Sequence, residues 1–366
     1  MFAALLFTSL ALQGPALKVT SPILFRGSVS PGRCRVPLLL GDQMYLFLID
    51  TGIDHSYIRF DVKHKLLIES PDEKLVFGSG SIPVKKMQAV DSTLYREIPP
   101  VAGIVGMDLL KHERFTIDYV GQTLTLWPTD KDLPEMSDSV GGDKDRIVTI
   151  DLIDEENTPS MFVNTSLGEA ELDTGAMLSL LPKTASTSPE VLATKISQPL
   201  ELFDGTAGRA TQAFVRNLSI GSQQIFCQQV LLSDTVNVGV ISPSLFAKRV
   251  LFDFPNKKIV FAEPDPSWMA CKTIGTLVHG MVEERNGEPF LKAQLAKNMG
   301  PKSSPWVRIV SIDGHKGSDL LKMLKDKDSL AATIVQHAYD SLAKGGIVLI
   351  EHDGKQEKLY VQPFLR

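Results

Sequence analysis

A run of apolar residues, Leu46-Phe47-Leu48-Ile49, ends abruptly in Asp50-Thr51-Gly52, and the same ending recurs at Leu172-Asp173-Thr174-Gly175. One hydrophobic-Asp-Thr-Gly arises readily by chance. Two, each closing a strand-like run, constrain a chain strongly. The spacing of the flanking segments carries the argument further. Asp50 and Asp173 lie 123 positions apart, and Asp118 and Asp253, each within an aromatic-aliphatic strand, lie 135 apart. Near-equal offsets over a whole unit indicate an internal duplication. Two similar units packed about a pseudo-twofold axis bring equivalent turns face to face, so Asp50 and Asp173 are expected to meet as a catalytic pair.

Local signals fill in each unit. Arg35 to Leu40 and Tyr45 to Ile49 predict a hairpin around Gly41-Asp42, and the second strand delivers Asp50. Thr51 and Gly52 suit a tight turn, the glycine permitting close approach and the threonine hydroxyl bonding to nearby backbone. Thr174 and Gly175 repeat them. Asp54 either braces the following loop or is solvated, and His55 reads as a surface residue. Two glycine-rich tips follow the Asp-Thr-Gly turns by roughly thirty residues each. One holds Gly78, Ser79 and Gly80, the other Gly205 and Gly208, and both are flap candidates. Ile104-Val105-Gly106 predicts a strand ending in glycine. When the halves are aligned through Asp253, Ile241 falls opposite Gly106, and Gly239 comes two residues early.

These residues resemble the retropepsin-like aspartic proteases, in a single-chain arrangement of two fused halves. The shared pattern is hydrophobic-Asp-Thr-Gly, a glycine-tipped flap and a later hydrophobic-hydrophobic-Gly, over roughly residues 30 to 263. The resemblance implies a mainly β fold, with two retropepsin-like β-barrel halves related by pseudo-twofold symmetry. It also implies an aspartic endopeptidase acting on an extended peptide, without metal or cofactor. Ile53 and Ala176, which follow the two glycines, offer no hydroxyl to lower a dyad pKa. The activity is therefore expected at mildly acidic to near-neutral pH. Competing readings are a catalytically inactive peptide-binding protein that kept the cleft, and a form that needs a second chain.

Beyond residue 266 the pattern changes. Val307 to Gly314 reads as a strand and turn, Leu320 to Leu324 and Ser329 to Ala343 as helices, and Ile347 to Glu351 with Lys358 to Val361 as a final hairpin. This order resembles a small α+β PDZ-like domain, a module that takes an extended peptide onto a sheet edge. The expected organisation is a signal peptide over 1–16, a first half over 17–130 and a linker over 131–146. A second half over 147–263 and the PDZ-like domain over 268–366 complete it.

Bulk properties narrow the classes. With 43% hydrophobic and 22% charged residues the chain has a globular balance, and a net charge of −5 argues against nucleic acid as partner. Cys34, Cys227 and Cys271 are too few for a disulfide scaffold and read as buried small residues. The apolar start, Ala3 to Leu12 before Gln13-Gly14-Pro15-Ala16, fits a secretory signal and a secreted or periplasmic protein, though no Lys or Arg precedes it. No stretch is long enough to span a membrane stably. No His-Glu-x-x-His, Cys-x-x-Cys or Gly-x-Ser-x-Gly occurs to support other chemistry.

Overall fold

The computed structural model describes residues 23–26, 28–29, 33–90, 101–130, 147–154, 160–176, 178–202, 207–221, 223–263, 265–278, 280–292, 306–342 and 345–360. The proposed signal segment, the 131–146 linker and Gly205 lie outside them. The chain is mainly β. The predicted hairpin forms from Cys34–Leu40 and Gln43–Ile49, and Gly41 turns it in the left-handed region at φ 61°. Its alternation buries Val36, Leu38, Leu40, Phe47 and Ile49 in the main core.

The strand orders of two sheets correspond element by element. One sheet runs Ser28–Val29, Cys34–Leu40, Gln43–Ile49, Gly103–Val105, Tyr57–Arg59, Gln88–Val90. The other runs Ile153–Asp154, Met161–Thr165, Gly168–Leu172, Gly239–Ile241, Ser179–Pro182, Gln223–Ser233, then adds Ala207–Ile220 and Val191–Glu201. The sense of each matching pair, parallel or antiparallel, also agrees.

This pairing corrects the alignment through Asp253. Val105 pairs with Ile49 and Ile241 with Leu172, so Ile241 stands where Val105 does, Ser242 where Gly106 does, and Gly239 where Gly103 does. Gly239 is therefore not early. The offset is 136 here and 135 at the Asp118 and Asp253 strands, a slip of one residue in the intervening turn.

A third, six-stranded sheet joins the halves: Ile23–Arg26, Thr123–Trp127, Arg114–Asp118, Arg249–Asp253, Lys258–Ala262, Ile147–Asp151. Its central antiparallel pair sets Arg114 opposite Asp253 and Asp118 opposite Arg249. Both couples are ion pairs, Arg114 Nε to Asp253 Oδ2 at 3.1 Å and Arg249 Nε to Asp118 Oδ2 at 2.5 Å. Between them Phe115, Ile117, Val250 and Phe252 pack into the main core, with Phe115 stacked on Phe252 at 5.1 Å between centroids.

The hairpin Lys74–Phe77 and Gly80–Pro83 forms, but its tip is not the free tip that a closing flap needs. Ser79 donates to Glu113 Oε1 from its amide at 2.6 Å and from its hydroxyl at 2.5 Å. Glu113 is fully buried, and Leu75 and Phe77 are core residues, Phe77 meeting Phe115 edge-on. Gly78, at φ 60°, is required because any Cβ there would strike the Glu113 carboxylate.

The prolines of Glu263-Pro264-Asp265-Pro266 predict a second linker, but a helix begins there, and the strands expected near 280–282 and 289–293 form as Val282–Arg285 and Glu288–Lys292. Pro266–Val278 is a helix. Asp265 accepts a hydrogen bond from the Ser267 amide at 2.9 Å, and proline holds the first helical position. Ile274, Leu277 and Val278 join a second core with Ile309, Leu320, Val335 and Val348, and Phe214 and Cys227 of the second half belong to it. The C-terminal sheet runs Val282–Arg285, Glu288–Lys292, Trp306–Ile312, Ile347–His352, Lys355–Tyr360, with helices Gly317–Lys325 and Ser329–Leu342. Its hairpin turns Asn286-Gly287, Asp313-Gly314 and Asp353-Gly354 all have positive φ at both residues, the requirement of type I′ turns. All three cysteines are buried and free. Among the described residues no helix is long and apolar enough to cross a membrane.

The two crossed ion pairs should differ in worth. The Arg114 and Asp253 side chains are 6% and 8% exposed, whereas Arg249 is 41% exposed. Asp253→Ala leaves a buried guanidinium without its counter-ion and is expected to cost about 3–5 kcal/mol. Arg249→Ala is expected to cost about 1 kcal/mol or less. Urea unfolding of both variants measures this, and equal losses would contradict it.

Candidate active site

Each Asp-Thr-Gly sits at the end of a central strand, where the parallel neighbour continues past it. The Asp50 amide donates to Val105 O at 3.1 Å, and the Asp173 amide to Ile241 O at 3.0 Å. Each carboxylate is then gripped by its own turn. Gly52 N–H donates to Asp50 Oδ1 at 3.0 Å, and Gly175 and Ala176 donate to Asp173 Oδ1 at 2.6 and 2.9 Å.

The threonines act differently from the local role expected of them. Thr51 N–H donates to Thr174 Oγ1 at 3.1 Å, and Thr174 N–H to Thr51 Oγ1 at 3.1 Å. The hydroxyls donate onward across the junction, Thr51 to Leu172 O at 2.5 Å and Thr174 to Ile49 O at 2.8 Å. Both threonines are buried. The turns are thereby laced together, and the structure brings Asp50 and Asp173 into contact. The glycines permit it. A Cβ on Gly52 would lie 2.5 Å from Asp173 Cγ, and one on Gly175 would lie 2.1 Å from Asp50 Oδ2.

The electrostatics follow from this proximity. Burial first, then the Asp173 charge and the hydrogen bond between the two carboxyls, push Asp50 well above the usual carboxylate range. Burial also raises Asp173, but the hydrogen bond from Asp50 and the amides of Gly175 and Ala176 pull it back. The two carboxyls therefore titrate as one unit that shares a proton, and the two turn amides on Asp173, against one on Asp50, favour Asp173 as the ionised partner. Arg33, which the sequence reading passed over, donates from Nε to Gly175 O at 2.5 Å, and its charge favours ionisation of both carboxyls.

An outer ring steadies the turns. Ser56 donates from its amide and hydroxyl to Asp108 at 2.9 and 2.6 Å and accepts from the Gly106 amide at 3.0 Å. The second half repeats one of these bonds, Ser242 N–H to Ser179 Oγ at 3.1 Å. Asp108, rather than Asp54, is thus the carboxylate that braces the loop; Asp54 and His55 are exposed. The repeat was readable, since Ser56 and Ser179 are also 123 apart. Of the second flap candidates, Gly208 lies opposite Leu200 in the long hairpin of Val191–Glu201 and Ala207–Ile220.

No family model and no curated protein matches the chain. Solved structures with a similar backbone include conglutin gamma, a basic 7S globulin from lupine seeds, at 10% identity and a TM-score of 0.39, with 67% of this chain and 95% of that one covered. Basic 7S globulin from soybean is similar at 9% identity and a TM-score of 0.38, with 66% and 94% covered.

Two outcomes are expected of the lacing and the shared proton. Thr51→Val removes a donor to Leu172 O and an acceptor for Thr174 N–H. Two buried groups at about 1–3 kcal/mol each give a loss of roughly 2–6 kcal/mol, while Thr51→Ser retains most of the stability. Denaturant unfolding of the pair checks this. The unfolded chain releases the Asp50 proton near pH 3.8, and the folded chain holds it to higher pH. The stability this proton contributes is complete below that pH and is lost as pH rises through the folded value. Asp50→Asn should therefore melt at higher temperature than wild type at neutral pH, and the difference should shrink toward pH 4. A variant less stable at neutral pH would contradict the assignment.

Proposed function

We propose that this chain is an aspartic endopeptidase, with two retropepsin-like halves related by a pseudo-twofold axis and a PDZ-like domain at its C-terminal end. The observation that carries the reading is the pair of carboxyls from separate Asp-Thr-Gly turns, Asp50 buried and Asp173 partly buried, hydrogen-bonded to each other. The matching strand orders and the crossed ion pairs of the joining sheet support the duplicated arrangement. The apolar start supports a secreted or periplasmic location.

In this reading Asp173 is the general base. It takes a proton from a water held between the carboxyls, and the water oxygen attacks the scissile carbonyl carbon. Asp50 donates its hydrogen bond to the carbonyl oxygen and stabilises the charge that develops there. Collapse of the tetrahedral adduct breaks the C–N bond as the amine nitrogen receives a proton from the dyad. No bond forms between enzyme and substrate. The turn amides fix both carboxylates, so they need no reorganisation during the step. With the 74–83 hairpin anchored to Glu113, covering the substrate falls to the long hairpin of the second half. The PDZ-like domain, packed against that half through helices Ser329–Leu342 and Pro266–Val278, would take an extended peptide on a sheet edge.

The test is cleavage of a complex peptide mixture, read by mass spectrometry from pH 3 to 8, with Asp50→Asn and Asp173→Asn alongside. Cuts should vanish in both variants. Both carboxyls are raised above the ordinary value of 3.8, so both limbs of the pH profile should lie above about pH 4. Activity should fall at the alkaline limb as Asp50 loses its proton and at the acid limb as Asp173 gains one. An optimum at about pH 2 to 3, where a strongly lowered dyad works, would contradict the assignment. Cuts lost in only one variant would point to a second chain supplying the partner. No cuts from folded protein would favour a peptide-binding protein that kept the cleft.

A further inference from the structure

Glu171 stands two residues before Asp173 on strand Gly168–Leu172. Side chains alternate along a strand, so Glu171 shares a face with Asp173 while Ala170 and Leu172 point into the core. The matching position in the first half is Leu48, two residues before Asp50. The pairing makes the match explicit: Leu48 lies opposite Ile104 on the crossing strand, and Glu171 opposite Val240. Leu48 belongs to an apolar group with Val101, Ile104, Ile53 and Val90. Where one half presents a hydrocarbon wall beside its catalytic carboxyl, the other presents a carboxyl.

Among the described residues, the charged groups that act on Glu171 are acidic. Asp173 and Asp54 act on it, and it is hydrogen-bonded to Ser160, whose hydroxyl also lies 3.4 Å from Asp54 Oδ1. Among the described residues it forms no ion pair. Burial, the largest cause, pushes its carboxyl up to about 7. A half-buried acid without a counter-ion costs stability, and leucine at the equivalent place shows that the scaffold does not demand one.

We propose that Glu171 determines specificity, selecting a lysine or arginine side chain at one of the two substrate residues flanking the scissile bond, while Leu48 favours an apolar residue at the other. The cation would supply a counter-charge and form a charge-assisted hydrogen bond in a partly desolvated place. This rests on the endopeptidase reading and makes it more specific, because a wholly apolar cleft would prefer apolar residues on both sides.

The test uses matched peptides carrying lysine or norleucine, which share a similar hydrocarbon length, at each flanking position in turn. Wild type should show kcat/KM at least about tenfold higher for lysine at one position and no such gain at the other. Glu171→Gln should lose that preference, and Glu171→Leu should reverse it toward norleucine. Thermal melting establishes that each variant is folded, and Glu171→Gln, which keeps the shape, serves alone if Glu171→Leu does not fold. A wild-type enzyme indifferent to lysine, or one whose preference survives both substitutions, overturns the proposal and leaves the endopeptidase reading intact. Affinity of the same peptides for the Asp50→Asn chain, with and without Glu171→Gln, separates selection from turnover. A lysine preference in binding that depends on Glu171 supports the selectivity even if wild type cleaves nothing, and equal affinities overturn it.

Discussion

Two threonine hydroxyls hold the centre of this molecule. Each accepts from the other turn's threonine amide and donates to the carbonyl before the other aspartate. Neither hydroxyl reaches solvent, so each bond is strengthened by the low local dielectric, and each would be costly to leave unmade. The lattice is reciprocal: the donor set of one half is the acceptor set of the other. A shift of one turn would break all four bonds together. This cooperativity fixes the relation between two strand ends that sequence separates by 123 positions.

Fixing the turns forces the carboxyls together. Charges of like sign at such separation, in a buried place, cannot both be ionised at low cost. The protein manages this conflict with fixed dipoles. Amides of Gly52, Gly175 and Ala176 stabilise the ionised forms, and Arg33 adds a charge from across the junction. Asp173 receives two amide bonds to Asp50's one, which helps decide which partner keeps the proton. Glycine at both third positions is then a requirement of the opposite carboxyl's approach. The same dipoles that allow the pair to exist hold both carboxyls in a fixed orientation.

Much of this was legible because it is written locally and then repeated. Apolar alternation ending in Asp-Thr-Gly gives the strands and the turns, and repetition gives the pairing. What failed to show was whatever depends on a remote partner. Gly78-Ser79-Gly80 reads the same whether the tip is free or held, and its anchor, Glu113, is 34 residues away from Ser79. The threonine hydroxyls were assigned to their own turns because their partners lie in the other half. Arg33 gave no motif, since its acceptor is a backbone carbonyl in the other half. Helix Pro266–Val278 is a different kind of miss. Asp265-Pro266 reads as part of a linker, yet an aspartate before a proline is also a helix start, with a cap and a preset φ. The alignment failed at Gly106 because one residue is lost in a turn, where length changes disturb no pairing.

A duplicated chain also differs from a pair of identical chains in what it can vary. Interactions that bridge the halves must stay reciprocal, and the threonine lattice and the crossed arginine-aspartate pairs have done so. Interactions within one half carry no such constraint. Asp108 braces Ser56 in the first half, while at the matching place Ser244 meets Ser242 at 2.9 Å. The first half anchors a short hairpin under Glu113, and the second extends strands of 11 and 14 residues. Leu48 and Glu171 fall in this second class, because neither takes part in the bonds across the junction. Substitution there leaves the threonine bonds across the junction in place. Two matching halves can therefore keep a reciprocal junction around the paired carboxyls and still differ in the side chains that each half sets beside them.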